Sequence, residues 1–293
     1  MVNTAEKVEN MIDSSADNML DAVEADTTTP FQGIWKKGIL VQIQGGVWSM
    51  EAKLQASDLG KESTEIPEFV FLGKKRLFST KEKNRFLNVV SRARNAAERS
   101  GFPFFITGSF FVPFANYDRV KESVETERVR FFRLVDEFVE RYDERRSEFL
   151  ETHDSHRSLL EAHYPDPESV RRMFKFNVVY YMASLSGGIT GDASGEDLYL
   201  QWAIESMNSL REEARVVSDA IREASVGQNL DGRTMRRVQT LVDRLTNMDL
   251  MGDTKLRDAA LALSVSPTPE RAIALKQVAT DVTEDDVRAI LLD

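Results

Sequence analysis

The 293-residue chain is long enough for one large domain or two ordinary ones, and its 42% hydrophobic and 29% charged residues fit a soluble, charge-rich globular protein. It has no cysteine, which excludes disulfides and thiolate chemistry and fits a reducing compartment; the expected location is the cytoplasm, or a phage or viral particle assembled there. No stretch approaches the ~18 apolar residues of a membrane span, and residues 1–10 lack the apolar core expected of a secretory signal.

The net charge of -10 is unevenly spread. Residues 1–30 carry seven acids against Lys7 alone, with Val8, Met11, Ile12, Met19, Leu20 and Val23 sparsely interspersed. They read as an acidic arm or weak helix, and Thr27-Thr28-Thr29-Pro30 as a linker. Ile39, Val41 and Ile43 then alternate as a strand that ends or bulges at Gly45-Gly46, with Val47-Trp48 able to resume it. Phe104 to Pro113 is a second strand, and pairing of 39–48 with 104–112 is the economical arrangement. Between them, Ser79 or Thr80 caps a helix that runs to about Arg99 and stops at Ser100-Gly101.

From Val124 to Phe149 a 3-4 spacing runs through Val124, Phe131, Val135, Phe138, Tyr142 and Phe149, with Arg128 and Arg145 interrupting the seam. A helix continuing to His163 would span ~60 Å. The seam can pack within the chain or between copies of it. Ser169 to Leu185 reads as an aromatic central helix, and Gly187 to Gly195 as a loop. Helices are expected over 196–225, 233–248, 254–264, 270–280 and 284–292, the last capped by Thr283 with Asp286. The expected fold is mainly α (α+β): a long-helix bundle with a small antiparallel β element near 39–48 and 104–112. Its parts would be the acidic arm 1–30, an α+β region over 31–117 and a helical bundle over 118–293.

The basic helix is the sharpest functional feature. Between residues 74 and 99, nine bases face two acids, and Lys81, Arg85, Arg92 and Arg99 share one stripe opposite Phe86, Val90, Ala93 and Ala97. With Lys74, Lys75 and Arg76 upstream, this surface suits an acidic protein partner or, less readily, nucleic-acid phosphates. The plain alternative is a solvated face neutralised within the molecule, with the glutamates of 122–148 as counter-ions. His153 and His156 are weak metal candidates, since zinc would need a further carboxylate and His163 lies too far along. The glycine loop has neither a preceding strand nor a lysine, so it is no phosphate loop. No catalytic signature and no cofactor motif is evident, so a non-enzymatic role is expected.

Gly38-Ile39-Leu40-Val41, Trp48, Lys53-Leu54, Asp58-Leu59-Gly60, Pro67, Leu72-Gly73-Lys74-Lys75-Arg76-Leu77, Ala93, Gly108 and Val112-Pro113 together form a recognisable order. A looser echo places Asp249 and Asp253 among apolar residues between Met248 and Leu256. The pattern resembles a bacterial and phage family of unknown function whose members often lie near genes for MoxR-type AAA+ ATPases and von Willebrand A-domain proteins. This chain departs from it by Gly45-Gly46 before Trp48 and by its acidic first 30 residues. The resemblance brings no catalytic residues. It implies an adaptor or partner of an ATPase machine, with a phage, viral-particle or nucleic-acid-associated protein as the alternative.

Overall fold

Alternating apolar residues and a glycine pair make the first strand, β1 (Gly38–Gly46), in the computed structural model, which describes residues 34, 36–182, 194–226, 232–250 and 252–287. β1 is an inner strand of a four-stranded sheet, flanked by β5 (Ser109–Pro113) and β6 (Lys175–Tyr181), with the short β4 (Phe102–Pro103) beyond β5. The expected pairing of the two sequence-read strands is therefore present, within a larger sheet. A second, two-stranded antiparallel ladder joins β2 (Glu51–Lys53) to β3 (Lys74–Arg76). Gly45 is where the helix after β3 meets β1: a Cβ there would sit 2.5 Å from a Val90 methyl, so any larger residue would push the helix away. Gly108, at φ 75°, makes the turn into β5 and accepts the Ile43 N–H at 2.9 Å.

The described residues divide into two compact units. One comprises Val41–Phe110 and Asp118–Tyr180. Its first helix, α1 (Thr80–Ser100), starts as expected at Ser79, whose hydroxyl accepts the Glu82 N–H, and buries Phe86, Val89, Val90, Ala93 and Ala97. In α2 (Phe114–Glu140) and α3 (Tyr142–Thr152), the seam residues Val124, Phe131, Val135, Phe138 and Tyr142 are all buried within the chain. Arg128 turns outward to Glu125, while Arg145 lies over the Phe138 ring and pairs with Glu82 at 2.6 Å. Val129 and Phe132 on α2 are exposed.

Two helix expectations need correction. The rod to His163 does not exist. Arg141 leaves the helical region (φ -101°, ψ 21°) although hydrogen bonds bridge it on both sides, which kinks the chain and directs Tyr142 into the core. After His153 the path breaks into single turns, including α4 (Arg157–Leu160). Nor do the described residues of 169–185 form one helix. Helix α5 (Pro167–Arg172) ends early, and Phe174 and Phe176 are buried while Lys175 and Asn177 are exposed, the period of two of a strand. β-branched and aromatic residues there favour β6 over a continued helix.

The other unit runs up to Leu40, includes Phe111–Tyr117 and resumes at Tyr181. Its helices follow the expected segments closely: α6 (Ser194–Val226), α7 (Gly232–Met248), α8 (Thr254–Val265) and α9 (Pro269–Val278). Trp202 packs edge-on against Phe111 at 5.3 Å. Thr283 and Asp286 bond reciprocally as a capping box. Asp253 caps α8 at the Leu256 N–H and pairs at 2.6 Å with the buried Arg211, while Asp249 accepts the N–H of Gly252. These bonds account for the second echo of the family pattern. Among the described residues no helix is long and apolar enough to cross a membrane. The expected arm over 1–30, the glycine loop as far as Ala193 and the expected last helix beyond Val287 lie outside the described residues.

Replacing Asp253 by alanine removes the cap and strands the Arg211 guanidinium, whose side chain is 9% exposed. Urea unfolding should show a loss of about 3 kcal/mol, partly restored when Arg211→Met is added.

Candidate interaction site

In the β2–β3 ladder Lys75 lies opposite Ala52, with Lys74 and Arg76 opposite Lys53 and Glu51. Alternation along β3 sends Lys75 to one side and its two basic neighbours to the other. The Lys75 side chain is 8% exposed, and its ammonium donates to Asp58 Oδ2 at 2.7 Å and to His163 Nε2 at 2.6 Å. An ammonium has no lone pair, so Nε2 is the acceptor and the imidazole carries its proton on Nδ1. Asp58 also accepts the Gln55 N–H at 2.7 Å, closing the turn at 56–59 that Gly60 ends at φ 68°. The Lys75 bond, reinforced by that backbone N–H, holds the Asp58 carboxyl below its ordinary 3.8. This accounts for Asp58-Leu59-Gly60 in the pattern and makes Lys75 a latch rather than a surface cation.

Beside the latch lies an open groove of about 540 Å³. Leu54, Phe78, Phe149, Leu159 and Leu160 supply apolar walls, and Lys75, Arg76, Ser79, Thr80, His153 and His156 the polar ones. His153 stacks on Phe149 at 4.3 Å and donates its Nδ1–H to the Phe149 carbonyl at 2.9 Å. His153 and His156 thus share the groove, whereas His163 is bound to Lys75. Among the described residues no group of three or more His, Cys, Asp or Glu side chains is placed to hold a metal ion.

The basic stripe is divided by its surroundings. Arg85 pairs with Glu82 at 3.1 Å and Glu137 at 3.5 Å, and Arg92 grips both oxygens of Glu127 at 3.0 and 3.1 Å. Lys74 and Lys83 share Glu51, at 3.3 and 3.7 Å. Arg94, outside the stripe, donates to the Ile43 carbonyl. Arg76, Lys81 and Arg99 are exposed and make no ion pair among the described residues. Exposed pairs of this kind contribute about 0–1 kcal/mol each, so they set geometry more than stability.

One feature escaped the sequence reading. Phe69, Val70 and Phe71 are 83%, 41% and 92% exposed on the connector leading into β3. Phe105 and Ile106 are also exposed, in the β4–β5 loop. The available signal was an apolar run, Phe69 to Leu72, set between Pro67 and Gly73 with no partner period.

The family model described as "Protein of unknown function (DUF3150)" matches residues 36–262, and the chain belongs to that family. No curated protein and no solved structure matches it.

The lowered Asp58 value fixes the sign of an acid effect. Stabilisation from an ionised Asp58 is complete above the unfolded carboxylate value, about pH 4, and is lost as pH falls through the lower folded value. The difference in urea midpoint between wild type and Asp58→Asn should therefore be constant from pH 5 to 7, roughly, and close below about pH 4.

Proposed function

We propose that this DUF3150 protein is a non-enzymatic interaction or adaptor protein. It offers the surface formed by residues 69–76 and the basic helix to an acidic protein partner, in the cytoplasm or in a phage or viral particle. The observation that carries this reading is the pair of phenylalanines at 83% and 92% exposure, within seven residues of Lys74 and Arg76. Large exposed aromatics beside cations are what protein interfaces bury, and aromatic and arginine residues dominate binding energy there. The gene neighbourhood of the resembling family makes a MoxR-type AAA+ ATPase the first partner to test. The alternative, phosphate binding on nucleic acid, draws on the exposed Arg76, Lys81 and Arg99. It is weakened by the carboxylates that already hold Arg85 and Arg92 and by the net charge of -10.

Tagged full-length protein recovered from native cells should bring down the ATPase, identified by mass spectrometry, and Phe69→Ser/Phe71→Ser should lose it. Because both rings are exposed, the double variant should unfold within about 0.5 kcal/mol of wild type. Recovery of no protein partner would count against the adaptor reading. DNA binding that falls steeply with salt and is lost on substituting Arg85, Arg92 and Arg99 would favour the alternative.

A further inference from the structure

We infer that the groove lined by Phe78, Phe149, Leu159 and Arg76 is the socket for a short partner segment: one or two large apolar side chains flanked by Asp or Glu. This deepens the adaptor reading and rests on it. Charge complementarity identifies the occupant. Roughly one residue in six of the chain is acidic, yet none of the eleven residues lining the groove is. Lys75 has its charge matched by Asp58, whereas Arg76 at the rim shares the single Glu51 carboxylate with Lys74 and Lys83, which leaves positive charge in excess there, with His156 beside it as a polar group. A guanidinium at the edge of an apolar trough selects a carboxylate next to a hydrophobic anchor.

Shape and rigidity agree with this occupant. About 540 Å³ holds a few side chains, and the open form suits a chain passing through better than an enclosed small molecule. The walls are set before anything binds. Phe78 is 3% exposed and packs edge-on against Trp48 and Tyr164, the Tyr164 hydroxyl donates to the Leu77 carbonyl at 2.6 Å, and the Lys75 latch ties β3 to residue 163. A preformed socket avoids the ordering cost that weakens flexible ones. Nucleic acid is the poorer occupant, because its backbone requires several available cations and the groove offers only Arg76 beyond the Lys75–Asp58 pair.

The test is selection of displayed twelve-residue peptides on the full-length protein, followed by fluorescence anisotropy with the recovered peptides made synthetically. Recovered peptides should carry an apolar anchor between acids. Arg76→Glu and Leu159→Asp should each weaken them about tenfold or more, and Phe69→Ser/Phe71→Ser should not. Arg76 is exposed, so its substitution remains informative if Leu159→Asp fails to fold. Neutral or basic peptides, binding indifferent to Arg76→Glu, or no peptide binding tighter than about 1 mM would each overturn the socket. A partner that survives Arg76→Glu but is lost with Phe69→Ser/Phe71→Ser would overturn the socket and leave the adaptor reading standing.

Discussion

The ring of Phe78 packs against Trp48, Phe138, Tyr142, Phe149 and Tyr164 at centroid distances of 5.7, 5.2, 5.6, 6.3 and 5.4 Å, and much of the unit built on Val41–Phe110 and Asp118–Tyr180 depends on it. It stands between β3 and α1, so fixing this one ring fixes where the ladder ends and where the basic helix begins. The two tyrosines around it are polar only at their tips. Tyr142 donates to the Pro165 carbonyl and Tyr164 to that of Leu77, and burial raises both phenols, Tyr164 to about 12. Neither hydroxyl ionises near neutral pH, so both remain donors throughout the working range.

Around this cluster the chain uses cations in unlike ways within a few residues. Lys74-Lys75-Arg76 is one basic triplet in sequence, but a strand has a period of two, so its middle member turns toward Asp58 and its outer members do not. Arg145, which appears to interrupt an apolar seam, covers Phe138 with its guanidinium and answers Glu82 in the first turn of α1. At Arg145 the interruption of the seam is filled by a cation stacked on a ring, whereas Arg128 leaves the seam for Glu125.

Elements governed by local rules were legible in the sequence. Ser79 and Gly101 bound α1, Gly45-Gly46 end β1, and Thr268, Asp253 and Thr283 start helices with side-chain oxygens that accept the backbone N–H three residues on. What escaped was set by partners distant in sequence. Residues 174–181 have aromatic content compatible with either structure, and the open edge of β1 decides for a strand. β2 and β3 are three residues each and separated by twenty, too short to show alternation. The glutamates of 122–148 were legible as counter-ions for the stripe on α1, and Glu127 and Glu137 are the ones that meet Arg92 and Arg85; only the individual pairing was not. The exposure of Phe69 and Phe71 was not legible, because apolar residues carry no mark of the side they will face.

Those internal ion pairs decide how the surface divides its work. A carboxylate arriving at Arg92 must displace Glu127 from a two-oxygen grip, exchanging one exposed pair for another of similar worth, about 0–1 kcal/mol. Such an exchange adds little affinity. It does leave a local excess of positive charge on an otherwise acidic molecule, a field of the kind that would orient and accelerate the acidic partner proposed above. Affinity has to come from surface that loses water on contact, and the described residues of this unit place that surface at Phe69, Phe71 and the walls of the groove. On the proposed adaptor reading, the basic helix would govern which partner arrives and how fast, and the aromatic edge beside it how long that partner stays.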